Sequence, residues 1–193
     1  MNAIEQLSLV SVEEYLAAER DSEIRHEYVG GYVHAMAGGK NVHNRVAANF
    51  LISVGGQLRG KPCEPFNSDV KVRIQASGYT SFYYPDGMVV CEPNGPADTF
   101  QDRPVVVAEV LSDSTRRVDQ LEKRDAYLAI PSLAVYLLIE TDKPEVVAYR
   151  RSESGFQSEL YRGQEAVIPL AEVDAELPLA ELYERVKFAQ ADA

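Results

Sequence analysis

Three polar side chains stand where acid, base or metal chemistry has a physical reason to occur. Asp86 lies in Tyr83-Tyr84-Pro85-Asp86-Gly87-Met88-Val89-Val90, and Glu109 in Val105-Val106-Val107-Ala108-Glu109-Val110-Leu111. Lys123 follows in Asp119-Gln120-Leu121-Glu122-Lys123-Arg124-Asp125-Ala126-Tyr127. A carboxylate inside an apolar, strand-like run needs a partner, because a buried unpaired charge is costly. Two such acids on neighbouring strands can share a divalent cation, and a nearby lysine can stabilise charge developing on a phosphate. The set reads as metal-dependent hydrolysis of a phosphodiester. A purely structural network of salt bridges is the competing account.

Each residue also has a plainer explanation. Asp86 alone is a turn-proximal acid at a strand edge. Glu109 shares a strand face with Val105, Val107 and Leu111, and sits near the strand's C-terminal end, where open α/β sheets place ligands; a Glu paired to Arg or Lys explains it as well. Lys123 falls on a helical stripe with Ala126, Tyr127 and Ile130, while Asp119, one turn earlier, offers it a local salt bridge. His43 can carry protons, though a satisfied, partly buried histidine is the commoner case. Arg116, Arg117 and Arg124 suit phosphate contacts or a solvated surface. Lys71 and Arg73 suit a substrate groove or an exposed strand face.

The elements that must position these residues follow from periodicity. Ser11-Val12-Glu13-Glu14 has the capping-box pattern and opens a helix to about Arg20. Residues 27–36 are strand-like around a Gly30-Gly31 turn. Asn41 is expected to cap a long helix carrying Val46, Ala47, Phe50, Leu51, Val54 and Leu58 on one stripe. An amphipathic strand spans 69–75, with Val70, Val72 and Ile74 inward and Asp69, Lys71, Arg73 and Gln75 outward. The next strand is expected to run unbroken from about Phe82 to Cys91. Val105–Leu111 reads as a central, doubly covered strand. A helix follows from about Ser112 to Ala129, then a buried strand at 133–140, antiparallel strands near 145–150, 156–161 and 166–168, and a short helix from Pro178. The order predicts an α/β domain with a mixed sheet flanked by helices.

The chain has 193 residues and a formal net charge of −11. That length suits one domain, 1–193, with a core over about 11–150 and C-terminal strands with a short helix over 151–193. The charge argues against a nucleic-acid coat protein, which needs broad basic patches, but not against an enzyme with a local basic cleft. No apolar run is long enough to span a bilayer, and the N-terminus lacks a secretory pattern. Cys63 and Cys91 have no zinc-type spacing and are expected to be two reduced thiols in a cytoplasmic protein. Phosphate-loop, dinucleotide, serine-elbow and zinc-peptidase motifs are absent.

Taken in order, these pieces resemble a known family, the bacterial restriction endonuclease-like proteins of the PD-(D/E)xK nuclease superfamily. The resemblance covers roughly Ser11 to Arg150. It rests on residues 27–36, the helix opened by His43, Pro85-Asp86, Glu109-Val110-Leu111-Ser112, Ser114-Thr115, Asp119 with Lys123 and Tyr127, and the strand ending at Glu140. It implies a restriction endonuclease-like mixed β-sheet flanked by helices, with extra antiparallel C-terminal strands. It matches Asp86 and Glu109 to the two motif acids and implies Mg²⁺ or Mn²⁺ held by them and by a main-chain carbonyl near Val110. The superfamily's usual lysine position is Leu111 here, so the resemblance passes that role to Lys123 and adds Glu27 as a fourth member. DNA is the implied substrate and a homodimer the implied assembly, with Tyr149, Phe156 and Tyr161 as candidate contacts. An inactive nucleic-acid- or protein-binding module is the alternative, and a hydrolase for another phosphodiester is a third reading.

Overall fold

The computed structural model describes residues 9–36, 38–76, 78–112 and 119–188. Helix α1 (Val12–Arg20) begins with the expected capping box: Ser11 Oγ accepts from Glu14 N at 3.2 Å, and Ser11 N donates to Glu14 Oε2 at 2.8 Å. A hairpin follows, β1 (His26–Val29) and β2 (Tyr32–Ala35). Its turn residues Gly30 and Gly31 have φ of 55° and 103°, values that glycine adopts without penalty.

Helix α2 (Asn41–Gln57) buries Val46, Phe50, Ser53 and Val54 along one stripe. Lys40, not Asn41, is its N-cap, and no side chain caps it. Strands β3 (Glu64–Asn67), β4 (Lys71–Ala76), β5 (Tyr79–Tyr83), β6 (Gly87–Val90), β7 (Phe100–Gln101) and β8 (Pro104–Val110) come next. The strand expected from Phe82 to Cys91 is in fact two. Pro85 cannot donate to a ladder, and at Tyr84-Pro85-Asp86 the chain passes from one sheet to another.

One sheet has the order β2-β1-β5-β4-β7. The larger has the order β11-β10-β9-β8-β6-β3, built with β9 (Val135–Ile139), β10 (Glu145–Ser152) and β11 (Gly155–Arg162). β8 runs parallel to β9 and antiparallel to β6, so the expected mixed sheet is present. Before β9, a π-helical turn at Asp119–Lys123 leads into helix α3 (Arg124–Leu128). The part of the expected helix over 113–118 lies outside the described residues. β12 (Val167–Leu170) and β13 (Ala175–Pro178) form a small third sheet ahead of α4 (Leu179–Leu182).

β8 and β9 are covered on both faces. Val106, Ala108, Val110, Leu137 and Ile139 pack with α2 and the C-terminal elements. Val107, Leu111, Tyr136 and Leu138 pack with Tyr127 and Ile130 on the other side. Each fully buried aliphatic or Phe side chain contributes about 1.5–3 kcal/mol. Tyr149 and Phe156 pack against the second of these cores and Tyr161 against the first, so all three serve the chain's own interior. No helix among the described residues is long and apolar enough to cross a membrane.

Two expectations are corrected. Lys71 is 5 % exposed and faces the interior, not solvent. Cys63 and Cys91 form a disulfide instead of remaining reduced thiols. The β3–β6 register pairs Glu64 with Val90, and one step further sets the two cysteines opposite each other. β3, four residues with a proline, carries too little pattern to be read as a strand from sequence, so the pairing is not visible there.

Two stability effects are expected. A Cβ on Gly87 would meet the Phe50 ring at 2.6 Å, so Gly87→Ala should lower the unfolding free energy by about 1–3 kcal/mol in urea titration. The disulfide closes a sequence separation of 28, and reduction should cost about 3 kcal/mol, read as a lower urea midpoint in dithiothreitol.

Candidate active site at the end of β8

Asp86 sits between β5 and β6. Its position is fixed by Gly87, whose missing side chain lets α2 approach the sheet. That approach sets His43, in the first turn of α2, with Nε2 3.1 Å from Asp86 Oδ2. The same oxygen accepts the Val110 N–H at 2.7 Å. The observed contact with Val110 is therefore through its amide; the carbonyl implied by the resemblance is a separate atom. β6 and β8 pair Gly87 with Ala108, which brings Asp86 alongside the last residues of β8.

Glu109 is 3 % exposed and projects to the opposite face from Ala108 and Val110. Tyr127 Oη donates to its Oε1 at 3.0 Å, and Lys123 Nζ lies 3.6 Å from the same atom. Lys123 Nζ also lies 2.8 Å from Glu27 Oε1, which accepts a long 3.5 Å bond from the Tyr84 N–H. Glu27 comes from β1, Glu109 from β8 and Lys123 from the π-helical turn before α3. One ammonium thus links both sheets and a helix. π-helical turns are rare and gather at functional sites.

The rings around this cluster tune it. The Lys123 ammonium stands 5.7 Å from the Tyr83 ring centroid, within cation–π range. Burial pushes the Tyr83 phenol up to about 12, with the Glu27 charge adding and Lys123 opposing. Burial, then the neighbouring Glu109 charge, holds the Tyr127 phenol well above the ordinary tyrosine range. Tyr127 therefore keeps its proton near neutrality and acts as a donor to Glu109.

Of the four residues named from the sequence, Glu27, Lys123 and Glu109 are in direct contact, while Asp86 meets the Val110 amide next along the chain from Glu109 and His43. Leu111, where the superfamily's usual lysine would stand, is buried in the core beside Tyr127. Arg73 grips Asp102 at 2.7 and 2.8 Å and lies over Phe100, while Arg124 pairs with Asp125 at 2.7 Å. Arg116, Arg117 and the Asp119 side chain lie outside the described residues. Tyr127 was read from the sequence as part of the family pattern; its bond to Glu109 was not. The Glu19–Tyr84 bond of 2.8 Å was also missed, and no local pattern signals a contact between residues so far apart in sequence.

Among the described residues, no three His, Cys, Asp or Glu side chains gather as a chelating group. The acids do fit Mg²⁺ or Mn²⁺ by donor type. Such ions take hard oxygen donors, and Mg²⁺ commonly uses one or two carboxylates and keeps several waters.

The fold is that of a restriction endonuclease-like protein. A crystal structure of a nuclease described as putative, belonging to DUF820 of Anabaena variabilis, superposes with a TM-score of 0.72 at 17 % identity, over 90 % of this chain and 97 % of that one. Residues 12–180 match the Uma2 family model, described as "Putative restriction endonuclease", and the chain belongs to that family. Two uncharacterized proteins of Synechocystis are similar. One, slr1290, is 35 % identical over 148 residues, 76 % of each chain. The other, sll1609, is 32 % identical over 143 residues, 72 % of this chain and 80 % of the relative.

Removing the shared cation should expose its importance. Lys123→Met removes the ammonium that Glu27 and Glu109 share and should destabilise the protein by about 3–5 kcal/mol. The loss should be read as a lower urea midpoint of the variant relative to the parent. An unchanged urea midpoint in Lys123→Met would contradict this account.

Proposed function

We propose that this protein is a divalent-metal-dependent endonuclease that hydrolyses DNA phosphodiester bonds. The observation that carries the reading is the Lys123 ammonium held between Glu27 and Glu109, with Asp86 bonded to the amide that follows Glu109. Taken as ionised, the three acids outnumber this lysine by two charges, an excess that suits a divalent cation. Family membership and a nuclease-like fold support the same reading.

Asp86 and Glu109, with the Val110 carbonyl, would hold Mg²⁺ or Mn²⁺. When bound, such an ion lowers the pKa of water and neutralises charge on the scissile phosphate. Lys123 would place a donor where negative charge builds on the phosphoryl oxygens. Glu27 aims that lysine, and Tyr127 fixes the carboxylate of Glu109. His43 orients Asp86, as a second hydrogen-bonding partner does for a metal ligand. Two symmetry-related copies would address the two strands.

A binding module without turnover is the second reading, favoured by Leu111 in the usual lysine position and by the charge of −11. Supercoiled plasmid separates the two. With Mn²⁺ the protein should nick it, and Glu109→Gln or Asp86→Asn should each slow nicking by about 100-fold or more. Nicking unchanged in both variants would refute the assignment. A folded protein that binds the plasmid but never cuts it with either metal would establish the module.

A further inference from the structure

A second cluster of cations lies beyond Tyr84 and takes no part in the site above. A cleft of about 480 Å³, lined by Glu19, Arg20, Arg25, Lys71, Tyr84 and Thr99 among others, opens beside the C-terminal end of α1. Lys71 lines it from β4 while only 5 % exposed. Its Nζ makes one long hydrogen bond, 3.5 Å to Thr99 Oγ1, and stands 5.2 Å from the Tyr84 ring centroid. An ammonium has three donors, and a buried charge without an ionic partner is costly.

The acids of the cleft are spent elsewhere. Glu19 accepts the His26 N–H at 2.9 Å and the Tyr84 Oη at 2.8 Å, and faces His26 Nδ1 at 3.0 Å. Asp69 pairs with Arg25 and accepts from Asn67 at 3.4 Å. Asp98, the remaining acid, is exposed, as is Arg20. Arg20 lines the cleft and has no ion pair among the described residues.

We propose that this cleft is a phosphate-binding subsite in which Lys71, Arg20 and Thr99 are the recognising groups. Burial lowers the Lys71 pKa, Glu19 opposes that shift and Arg25 adds to it; a bound phosphate anion would favour the charged ammonium. Tyr84 connects the cleft to the cluster at β8, since its N–H meets Glu27 while its ring faces Lys71. A phosphate along a bound strand, a strand's terminal phosphate and free phosphate share the required chemistry. Binding stands without the cleavage reading, and only assignment to a strand rests on it.

The test follows the Lys71 side-chain resonance by NMR in the metal-free full chain. Inorganic phosphate, an oligonucleotide with a 5′-phosphate and the same oligonucleotide with a 5′-hydroxyl are titrated separately. The expected result is a saturable shift and a Lys71 titration midpoint that moves up towards the ordinary lysine value. Response to both oligonucleotides identifies an internal phosphate. Response only to the phosphorylated one identifies a strand end, and response only to inorganic phosphate identifies the free ion. Lys71→Met should abolish saturable phosphate binding in calorimetry, and the surface variant Arg20→Ala, which leaves the core intact, should weaken it about 2- to 5-fold. No response to any of the three probes, or the same response to chloride at equal ionic strength, would overturn the proposal whatever the plasmid assay shows.

Discussion

A single buried ammonium holds this architecture together. Lys123 Nζ lies 2.8 Å from Glu27 and 3.6 Å from Glu109, carboxylates from two different sheets. Glu109 on β8 is surrounded by apolar side chains, where its charge is tolerable only with donors at hand. Lys123 and Tyr127 supply them from one short helical segment. That segment is thereby tied over the sheet, and β1, the first strand of the chain, is tied to β8.

Backbone geometry delivers the remaining acid. Pro85 ends the β5 ladder, and Gly87 restarts the chain in the other sheet while clearing space for Phe50. Asp86 is caught between these two residues and so lies at the rim of the sheet, against the Val110 amide and His43. Fixing a carboxylate at a sheet crossing costs the strand its continuity. The return is an acid whose position is set by two rigid neighbours and does not depend on a long, mobile side chain.

Periodicity made the packing elements legible: α1 with its capping box, the stripe on α2, and the apolar runs of β8 and β9. The site acids were legible for the same reason, since a charge within an apolar run stands out. Lys123 was legible from its helical stripe with Ala126, Tyr127 and Ile130, although Asp119 one turn earlier offered a plainer partner, whereas Glu27 came only from its place in the family pattern. What stayed hidden depended on long-range partners. Alternation on β4 marked Lys71 as outward, but its side chain is buried beside the Tyr84 ring in a cleft that α1 also lines. β3 contains Pro65 and only four residues, too little pattern to be seen, and the Cys63–Cys91 pairing was hidden with it.

The acidic balance of the whole chain and a role with phosphate are compatible because the relevant cations are interior. At physiological salt, charges on the surface are screened beyond about 8 Å, whereas buried pairs are screened much less. Lys123 and Lys71 are 6 % and 5 % exposed, and Tyr84 touches the surroundings of both. The field that a phosphate would meet there is set by these two ammonium groups and their immediate partners. Under the proposed role, local geometry, more than the sum over the surface, would decide which anion is accepted.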